Sequence, residues 1–390
     1  MRGSISQRSR RSWTIRLDLG QELHTVTGKL HRKQGTHTVR GTRKQADDKL
    51  TQLLEAVRTG QYMDPSKLTV GQWLSEWLTV SAKPNVRPAT YTRYSGIVEN
   101  HLRKAPIAQI LLQKLRPSHV EAYYAGIPTG SRPVHHTVLR RALRKAVKEK
   151  LIVVNPAVDL DHAPRRAKMD DGARLNCWSA SEARTFLAAA KADGPQTAAL
   201  YAVALDSGAR KGELCGLSWD VVDFDGGTVR IVRQLTTSGP QPTFGPPKNG
   251  CSRDVTLSAE TMELLRQHKR TQAELKMANR TTYRDLGLVF AKEYGDLTNR
   301  TDMIGLPIQA NNLGERQFSR LITSAKVKRI TFHGMRHTCA TMLLQAGEPV
   351  HVVSKRLGHA RVEITLNTYA HVLPDMQKQA AATIGALLHG

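Results

Sequence analysis

The spacing of the apolar residues changes along this chain, and that change constrains the fold more than any other feature of the sequence. In SWTIRLDLG every second residue from Trp13 to Leu19 is apolar, which is the pattern of a β-strand with one buried face. Two more short runs, HTVTGKLH and GTHTVRG, follow after polar breaks. From Leu68 onward the apolar residues recur at the three- and four-residue spacing of amphipathic helices. We therefore predict a multidomain, mainly α protein with a small β-sheet at its N-terminus.

Residues 1–62 are predicted to form a small domain in which a three-stranded sheet is backed by one helix. Thr42 and Gln45 stand at the spacing of a capping box, which opens a helix, and Gly60 ends it. A unit this small and this basic is not an enzyme by itself. It is either a module that reads DNA or a basic appendage, and we favour the first interpretation because of the charge described below.

Two larger domains follow. Residues 66–163 have a helical pattern, and the apolar residues of LTVGQWLSEWL, from Val70 to Leu78, lie on one face. The segment PRRAKMDDGARL, residues 164–175, combines mixed charge with Pro and Gly and is typical of a linker. Ser179 and Glu182 form a second capping box, so residues 176–390 are assigned to the last domain. That domain is predicted to be mainly α, with a small β-hairpin or sheet running from GTVRIVRQLTTSG through PPKNG to CSRDVTL.

Positive charge is concentrated in the first part of the chain. The net charge is +25, and the first 170 residues hold 31 of the 58 Lys and Arg but only 13 of the 33 Asp and Glu. Such an excess indicates a polyanionic partner, nucleic acid first, although charge can also serve solubility alone. In HHTVLRRALRKAVKEK one helix face is apolar and the other is basic, which favours contact with a DNA backbone over a face turned only to water. The basic face consists of Arg141, Arg144, Lys145 and Lys148.

Several classes of protein are disfavoured by the sequence. No apolar run reaches the length of a membrane span, so we expect a soluble protein without a membrane partner. The basic start MRGSISQRSRRSW has no apolar stretch behind it and is not a secretory signal. The four cysteines show no C-x-x-C spacing, which predicts neither a zinc site nor a disulfide framework and fits a reducing cytoplasm.

Four motifs of the last domain each place a phosphate-directed group next to a helix end or a turn. They are SGARKGEL (207–214), PPKNGCSRDV (246–255), FHGMRHT (332–338) and LGH…TYAHV (357–372). On a helical turn His333 and Arg336 project from the same face. The guanidinium suits two phosphate oxygens, and the imidazole can move a proton near neutral pH. Two alternatives exist for this motif. One is a metal site at His333 and His337, but the motif lacks the glutamate of HExxH and a third ligand. The other is a surface turn whose polar residues are incidental.

The other motifs are ambiguous when taken singly. Arg210 follows a predicted helix end at Gly208, and Glu213 can hold it by a salt bridge, as in many surface pairs. Lys248 stands at a turn tip, where it can give a proton to a leaving alkoxide or be an ordinary turn lysine. Tyr369 shares a predicted apolar stripe with Leu366 and Leu373, a pattern typical of a core residue. Packing and nucleophilic attack therefore both remain open for Tyr369.

In combination, the motifs resemble those of the tyrosine recombinase (phage integrase) family. The resemblance covers the whole chain in outline and residues 175–375 at the level of motifs. It implies that the catalytic set is Arg210, Lys248, His333, Arg336, His359 and the nucleophile Tyr369, with Glu213 in support. The register of the lysine loop is open, because Arg253 follows at a short distance.

The resemblance also implies an activity. The enzyme would be a site-specific recombinase, an integrase of a phage or integrative element, which cleaves and rejoins DNA through a 3′-phosphotyrosine bond without metal, ATP or cofactor. The arginines and His359 would stabilise the phosphate charge, His333 would accept or position a proton, and Lys248 would protonate the leaving oxygen. The alternatives are a nicking-closing enzyme similar to type IB topoisomerases and a non-catalytic DNA-binding protein derived from a recombinase.

Double-stranded DNA is the expected partner, at two classes of site. Core sites would be bound by a helical core-binding domain of the SAM-like type together with the last domain, and arm sites by the N-terminal domain, where Arg16 and Arg40 are candidates. A homotetramer on DNA is implied, with accessory DNA-bending or excisionase proteins as further candidates. The end of the chain, MQKQAAATIGALLHG, would dock either on a neighbouring subunit or on its own domain. The expected location is the cytoplasm, at the nucleoid, of a bacterial or phage-encoded protein.

Overall fold

The computed structural model describes residues 3–23, 30–59, 62–158, 160, 176–294, 303–370 and 376–389. Contacts divide the chain into two compact units, Met1–Lys168 and Met169–Gly390. The predicted linker, residues 164–175, lies outside the described residues. Among the helices that are described, none is long and apolar enough to cross a membrane.

The N-terminal part of the first unit is a three-stranded antiparallel sheet packed on one helix, as predicted. Its elements are β1 (Gly3–Ser9), β2 (Ser12–Leu23), β3 (Leu30–Arg40) and α1 (Arg43–Arg58). Thr42 caps α1 with the predicted capping box, and Ile15 and Leu17 of β2 are buried against Leu53 of the helix. The choice of strands was partly wrong. The first strand comes from Gly3–Ser9, whereas HTVTGKLH supplies only the start of β3 within the described residues.

The rest of the first unit is helical and has its own apolar core. Its α-helices are α2 (Val70–Glu76), α3 (Pro88–Ile97), α4 (Pro117–Ala125) and α5 (Arg132–Lys148). A π-helical turn, Trp77–Ala82, extends α2. The predicted apolar face of LTVGQWLSEWL is confirmed, since Val70, Trp73 and Trp77 are at most 5% exposed. Burial of these side chains on one face leaves the opposite faces of the helices polar.

The second unit is mainly helical. Its helices before the small sheets are α6 (Ala180–Asp193), α7 (Pro195–Ser207) and α8 (Lys211–Cys215). Those after them are α9 (Ala259–Ala278), α10 (Ala310–Asn312), α11 (Phe318–Ala325), α12 (Phe332–Gln345), α13 (Val350–Leu357), α14 (Val362–Tyr369) and α15 (Met376–His389). Ser179 and Glu182 form the predicted capping box of α6. The main core contains Trp178, Phe186 and Phe318, which are in mutual ring contact.

The predicted β-segment of this unit forms two small sheets. Its strands are β4 (Val222–Asp223), β5 (Thr228–Ile231), β6 (Gln234–Thr237), β7 (Thr243–Gly245) and β8 (Arg253–Thr256). One sheet has the order β4-β5-β8, and β6 pairs with β7 in the other. The turn that carries Lys248 connects β7 to β8 and is closed by a hydrogen bond from Gly250 N to Pro247 O at 2.8 Å. Both ends of this turn are therefore held by a paired strand.

Candidate active site

Arg210 is positioned by the break between two helices. Helix α7 ends at Gly208, whose φ of 61° is left-handed, and an added Cβ there would lie 2.5 Å from Leu357. Only glycine fits such a position without strain. Arg210 is the N-cap of α8, and its backbone N–H donates to Glu213 Oε2 at 2.9 Å. The predicted helix end and helix start are thus confirmed, and the side chain of Arg210 is 19% exposed.

Glu213 is a buried carboxylate that binds two arginines of the site. Its side chain is fully buried and accepts hydrogen bonds from Arg210 Nη1 at 2.9 Å and from Arg253 Nη2 at 2.7 Å. Burial alone would raise the pKa of Glu213, but the hydrogen bonds and charges of Arg253 and Arg210 outweigh it, so the pKa lies below its ordinary value. Glu213 is therefore an anion that fixes both guanidinium groups.

Arg253 is buried, whereas Lys248 lies at the open cleft. Arg253 is 8% exposed, and its Nε donates to the carbonyl of Arg356 at 2.9 Å. This bond connects β8 to the end of α13, and the pair with Glu213 connects β8 to α8. From the sequence, Arg253 was only an alternative in the lysine loop, and this role was missed. The available signal was a charged residue on the inward side of an alternating strand, which requires a buried partner.

Helix α12 supplies a buried cation that is only partly satisfied. Arg336 is 3% exposed, and its Nη1 donates to the carbonyl of Gly208 at 2.8 Å. Its Nη2 is buried and has no hydrogen-bond partner among the described residues. Burial, together with the charges of Arg210 and Arg253, lowers the pKa of Arg336 to about 10. A buried donor without a partner is costly, so this nitrogen is suited to an incoming anion.

His359 follows the left-handed end of α13. Gly358 has a φ of 68°, and its carbonyl accepts from Asn249 Nδ2 at 2.9 Å and from Arg210 Nη2 at 3.4 Å. The Nδ1 atom of His359 lies 2.7 Å from Thr365 Oγ1. Burial and the nearby arginines, Arg336 first, lower the pKa of His359 to about 4. At neutral pH the ring is uncharged, and it can donate from Nε2 when Thr365 donates to Nδ1.

Lys248 and His333 line the same open cleft as Arg210. The cleft has a volume of about 670 Å³ and extends to Thr331 and Arg329. Desolvation, and then the charges of Arg336, Arg210 and Lys248, lower the pKa of His333. Those charges act on His333 only because the side chains are close to it. The structure thus brings the predicted lysine, histidine and arginine together around one space.

Tyr369 is buried, and its hydroxyl is already engaged. The residue is 1% exposed, and its hydroxyl lies 2.9 Å from Nδ1 of His337. Burial is the main cause that raises the pKa of Tyr369 above its ordinary value. Packing is therefore confirmed for Tyr369, and its role as nucleophile stays a prediction. The predicted stripe was wrong at Leu366, which is 41% exposed, and Leu373 lies outside the described residues.

His337 also lies beside His333, the other residue of the metal site considered from the sequence. The two rings are 4.8 Å apart and nearly perpendicular, and Nδ1 of His337 faces Tyr369. In the described parts of the chain, no group of three or more His, Cys, Asp or Glu residues could hold a metal ion. From the sequence, His337 was considered only as a ligand, and its contact with the tyrosine was missed.

The residues that were predicted to contact DNA lie on exposed faces of the first unit. Arg16 pairs with Ser4 and Thr36 across the sheet, and Arg40 is on the same face, opposite the side that packs on α1. On α5 the buried residues face the core, and the four predicted basic residues follow the other side. Among these, Arg141 donates to the Tyr94 hydroxyl at 2.7 Å, and Lys145 pairs with Glu149 at 2.9 Å.

The site gathers arginines, histidines and a lysine near one buried tyrosine. Comparisons with known proteins bear on the family and the fold. The sequence profile of the Phage integrase family matches residues 178–376, and that of the phage integrase N-terminal SAM-like domain matches residues 69–127. The chain belongs to the phage integrase family, the tyrosine recombinases.

Three known proteins illustrate the similarity. The XerC-like tyrosine recombinase of Caldanaerobacter subterraneus subsp. tengcongensis is 24% identical over 392 residues, which cover 94% of this chain and 97% of that protein. The Tn1549 transposon integrase in complex with a circular intermediate DNA has a TM-score of 0.61 at 20% identity, covering 81% of this chain and 99% of the other. The lambda integrase tetramer bound to a Holliday junction has a TM-score of 0.54 at 17% identity, covering 92% and 95%. The structural likeness at these identities shows a shared fold.

Proposed function

We propose that this chain is a site-specific DNA recombinase in which Tyr369 attacks a phosphodiester that is held by Arg210, Arg336 and His359. The observation that carries the proposal is the buried Nη2 atom of Arg336, which has no hydrogen-bond partner among the described residues. A scissile phosphate would satisfy it. Arginine donors that are fixed before DNA arrives stabilise the charge of the transition state without reorganisation.

The proposed reaction is a transfer of phosphate to tyrosine. The Tyr369 oxygen forms a bond to phosphorus, and the bond from phosphorus to the 5′ oxygen breaks. Lys248, at its turn beside the cleft, protonates that leaving oxygen, and His333 contacts the phosphate from the cleft side. The phosphotyrosine bond conserves the energy of the broken linkage, so rejoining needs no ATP, and the arginines supply the positive charge that a metal ion supplies elsewhere.

DNA has to expose the nucleophile before this reaction. Tyr369 is 1% exposed, yet on its helix only Thr365 is buried with it, while Val362, Ile364 and Leu366 are each about 40% exposed. A short helix with so few buried anchors moves at low cost compared with the core of the domain. We propose that binding of the core site loosens α14 enough to open a path to the hydroxyl, which keeps its contact with His337.

The assembly part of the proposal concerns DNA, neighbouring subunits and accessory proteins. The basic face of α5 would grip core-site phosphates, and the exposed sheet face with Arg16 and Arg40 would bind arm sites. Helix α15 exposes Ile384, Leu387 and Leu388 by 53 to 77%, which favours docking on a neighbour in a tetramer over packing on its own domain. When one assembly binds two separate sites, the DNA between them has to bend. We therefore propose that accessory DNA-bending or excisionase proteins take part in the assembly.

Covalent trapping on randomised DNA tests the chemistry, because it works without a known target sequence. The full chain is incubated with nicked duplexes of randomised sequence. Cleavage next to the nick releases a short fragment with the 5′ hydroxyl, so that the strand cannot be rejoined and the covalent adduct accumulates. Denaturing electrophoresis then separates the adducts. Tyr369→Phe should form no adducts and should still bind DNA. Sequencing of the trapped DNA identifies the core site.

Tyr201→Phe is the matched control. Tyr201 is a buried tyrosine of the same domain, and its hydroxyl has no hydrogen-bond partner among the residues that the structure describes. Its variant should form adducts at the wild-type rate. Covalent adducts that still form with Tyr369→Phe would overturn the assignment of Tyr369 as the nucleophile. Relaxation of supercoiled plasmids carrying the trapped site, without any recombinant product, would favour the nicking-closing alternative.

A further inference from the structure

His337 is a polar residue of the site to which no role has yet been assigned. It lies on α12 directly after Arg336 and one turn after His333. Its Nδ1 atom is 2.9 Å from the hydroxyl of Tyr369, and the two rings are 5.7 Å apart. The ring of His333 also contacts the His337 ring, with 4.8 Å between the ring centres. Of the histidines in the described part of the site, the one that touches the reacting oxygen is therefore His337 and not His333.

We propose that His337 accepts the proton of the Tyr369 hydroxyl when that oxygen attacks the scissile phosphate. This inference rests on the proposed function and assigns the proton acceptor within it. The lone pair of the tyrosine oxygen forms the bond to phosphorus, and the O–H proton passes to Nδ1 of His337. The electron pair of the broken bond leaves with the 5′ oxygen, which takes its proton from Lys248. In the rejoining step each proton returns along the same path.

The geometry meets the requirements of a general base. The acceptor atom is within hydrogen-bond distance of the proton that it must remove. Acceptance requires a neutral ring whose proton is on Nε2, leaving the Nδ1 lone pair toward the hydroxyl. The surroundings enforce the neutral form, since burial and the adjacent His333 and Arg336 lower the pKa of His337 to about 4.

The same surroundings keep the nucleophile inactive until DNA is present. The titratable groups that act on the pair are His333, Arg336 and Cys339 from α12 and Cys177 from the segment before α6. Beside these, an imidazolium at His337 is unfavourable, so the tyrosine keeps its proton in the free protein. An anionic phosphate at Arg336 offsets the new positive charge on His337. Proton transfer is thereby coupled to the arrival of the substrate, and the imidazolium is a strong acid for the rejoining step.

His333 then has a separate task. It faces the cleft that contains Arg210 and Lys248, so it is placed on the phosphate side, whereas His337 is on the nucleophile side. The two neighbouring histidines would thus serve the two sides of the same phosphorus. The family resemblance suggested that His333 accepts or positions a proton, and the contact at Tyr369 points to His337, one helical turn later, as the acceptor.

Chemical rescue tests the assignment. The full-length His337→Ala variant is assayed in single-turnover cleavage of a nicked duplex carrying the trapped core site, with and without added imidazoles of graded basicity. Loss of a general base reduces the rate by about 100-fold or more. Added imidazole should restore cleavage, and the restored rate should rise with the basicity of the imidazole, because the added base fills the vacated space. A purely structural role of His337 would give no such dependence.

Two further variants complete the design. His337→Gln keeps a polar contact to the hydroxyl but cannot accept its proton, so it should bind DNA normally, cleave as slowly as His337→Ala and resist rescue. His351→Ala, at an exposed histidine of α13, should cleave at the wild-type rate. A wild-type-like rate in His337→Gln, or a loss in His337→Ala that no imidazole restores, would overturn the assignment. Absence of adducts in the wild type would instead overturn the proposed function itself.

Discussion

Replacing Glu213 with glutamine removes a buried carboxylate on which two arginines depend. Glu213 is 1% exposed and accepts hydrogen bonds from Arg210 and Arg253 at 2.9 and 2.7 Å. Glutamine fits the same space, but it carries no charge and turns an amide N–H toward one guanidinium. Arg253, which is 8% exposed, then keeps a buried positive charge without its counter-charge.

The expected loss of stability follows from this burial. Breaking a buried ion pair by removing one partner costs about 3–5 kcal/mol. Arg210 is 19% exposed and can turn toward water, so we expect the lower end, about 3 kcal/mol, for Glu213→Gln. For a domain of this size the melting temperature shifts by about 2–4 °C per kcal/mol, which gives a fall of about 6–12 °C.

Differential scanning calorimetry of the full chain at about pH 7 measures this shift, in the transition assigned to the second unit. The control is Glu263→Gln, which breaks an exposed pair with Arg266 and should cost less than about 1 kcal/mol. A shift in Glu213→Gln no larger than in this control would refute the claim that the carboxylate compensates both arginines. The pKa of Glu213 lies below 4.5, so its contribution is present above that pH and is lost as the pH falls through the folded value. The difference between wild type and variant should therefore narrow in acid.

Three further predictions concern the turn at Gly358, the buried histidines of the site and the basic face of the N-terminal sheet. Gly358→Ala places a side chain at a φ of 68°, with a guanidinium nitrogen of Arg253 2.8 Å from the new Cβ. The free energy of unfolding, measured by urea titration, should fall by about 1–2 kcal/mol, and an unchanged value would contradict the expected strain. The folded pKa values of His337 and His359, about 4, lie below the ordinary 6.5, so the unfolded chain binds more protons between these values and the free energy of unfolding should fall as the pH drops from 6.5 toward 4. Urea titrations at about pH 7 and about pH 5 measure this fall, and equal values would count against it. Arg16→Ala and Arg40→Ala should each reduce the slope of log binding constant against log salt by about one for DNA containing arm sites, and an unchanged slope would argue against arm binding.

The sequence predicted the features that depend on local patterns. The capping boxes at Thr42 and Ser179 and the helix break at Gly208 need only a few neighbouring residues, and the structure confirms them. The first strand escaped prediction because GSISQRS has a single apolar residue, Ile5, and so no alternation to detect. Its pairing with β2 through the backbone leaves little trace in side-chain chemistry.

Contacts between distant parts of the chain explain what the sequence did not reveal about the site. His337 and Tyr369 are 32 residues apart, and Arg253 lies 40 residues from Glu213 and 103 from Arg356. No periodicity links such positions. A motif can therefore indicate which residue types meet at a site, but the packing of α12, α14 and β8 decides which atoms touch.

We propose that Tyr369 receives the DNA phosphate within a set of arginines and without a metal ion. The most direct measurement is to trap the wild-type chain on a nicked core-site duplex in excess chelator, digest the adduct with protease and nuclease, and identify the modified residue by mass spectrometry. We expect a 3′-linked nucleotide phosphate on Tyr369, formed equally well with and without chelator. A phosphate on any other residue, or an adduct that requires a divalent metal ion, would contradict it.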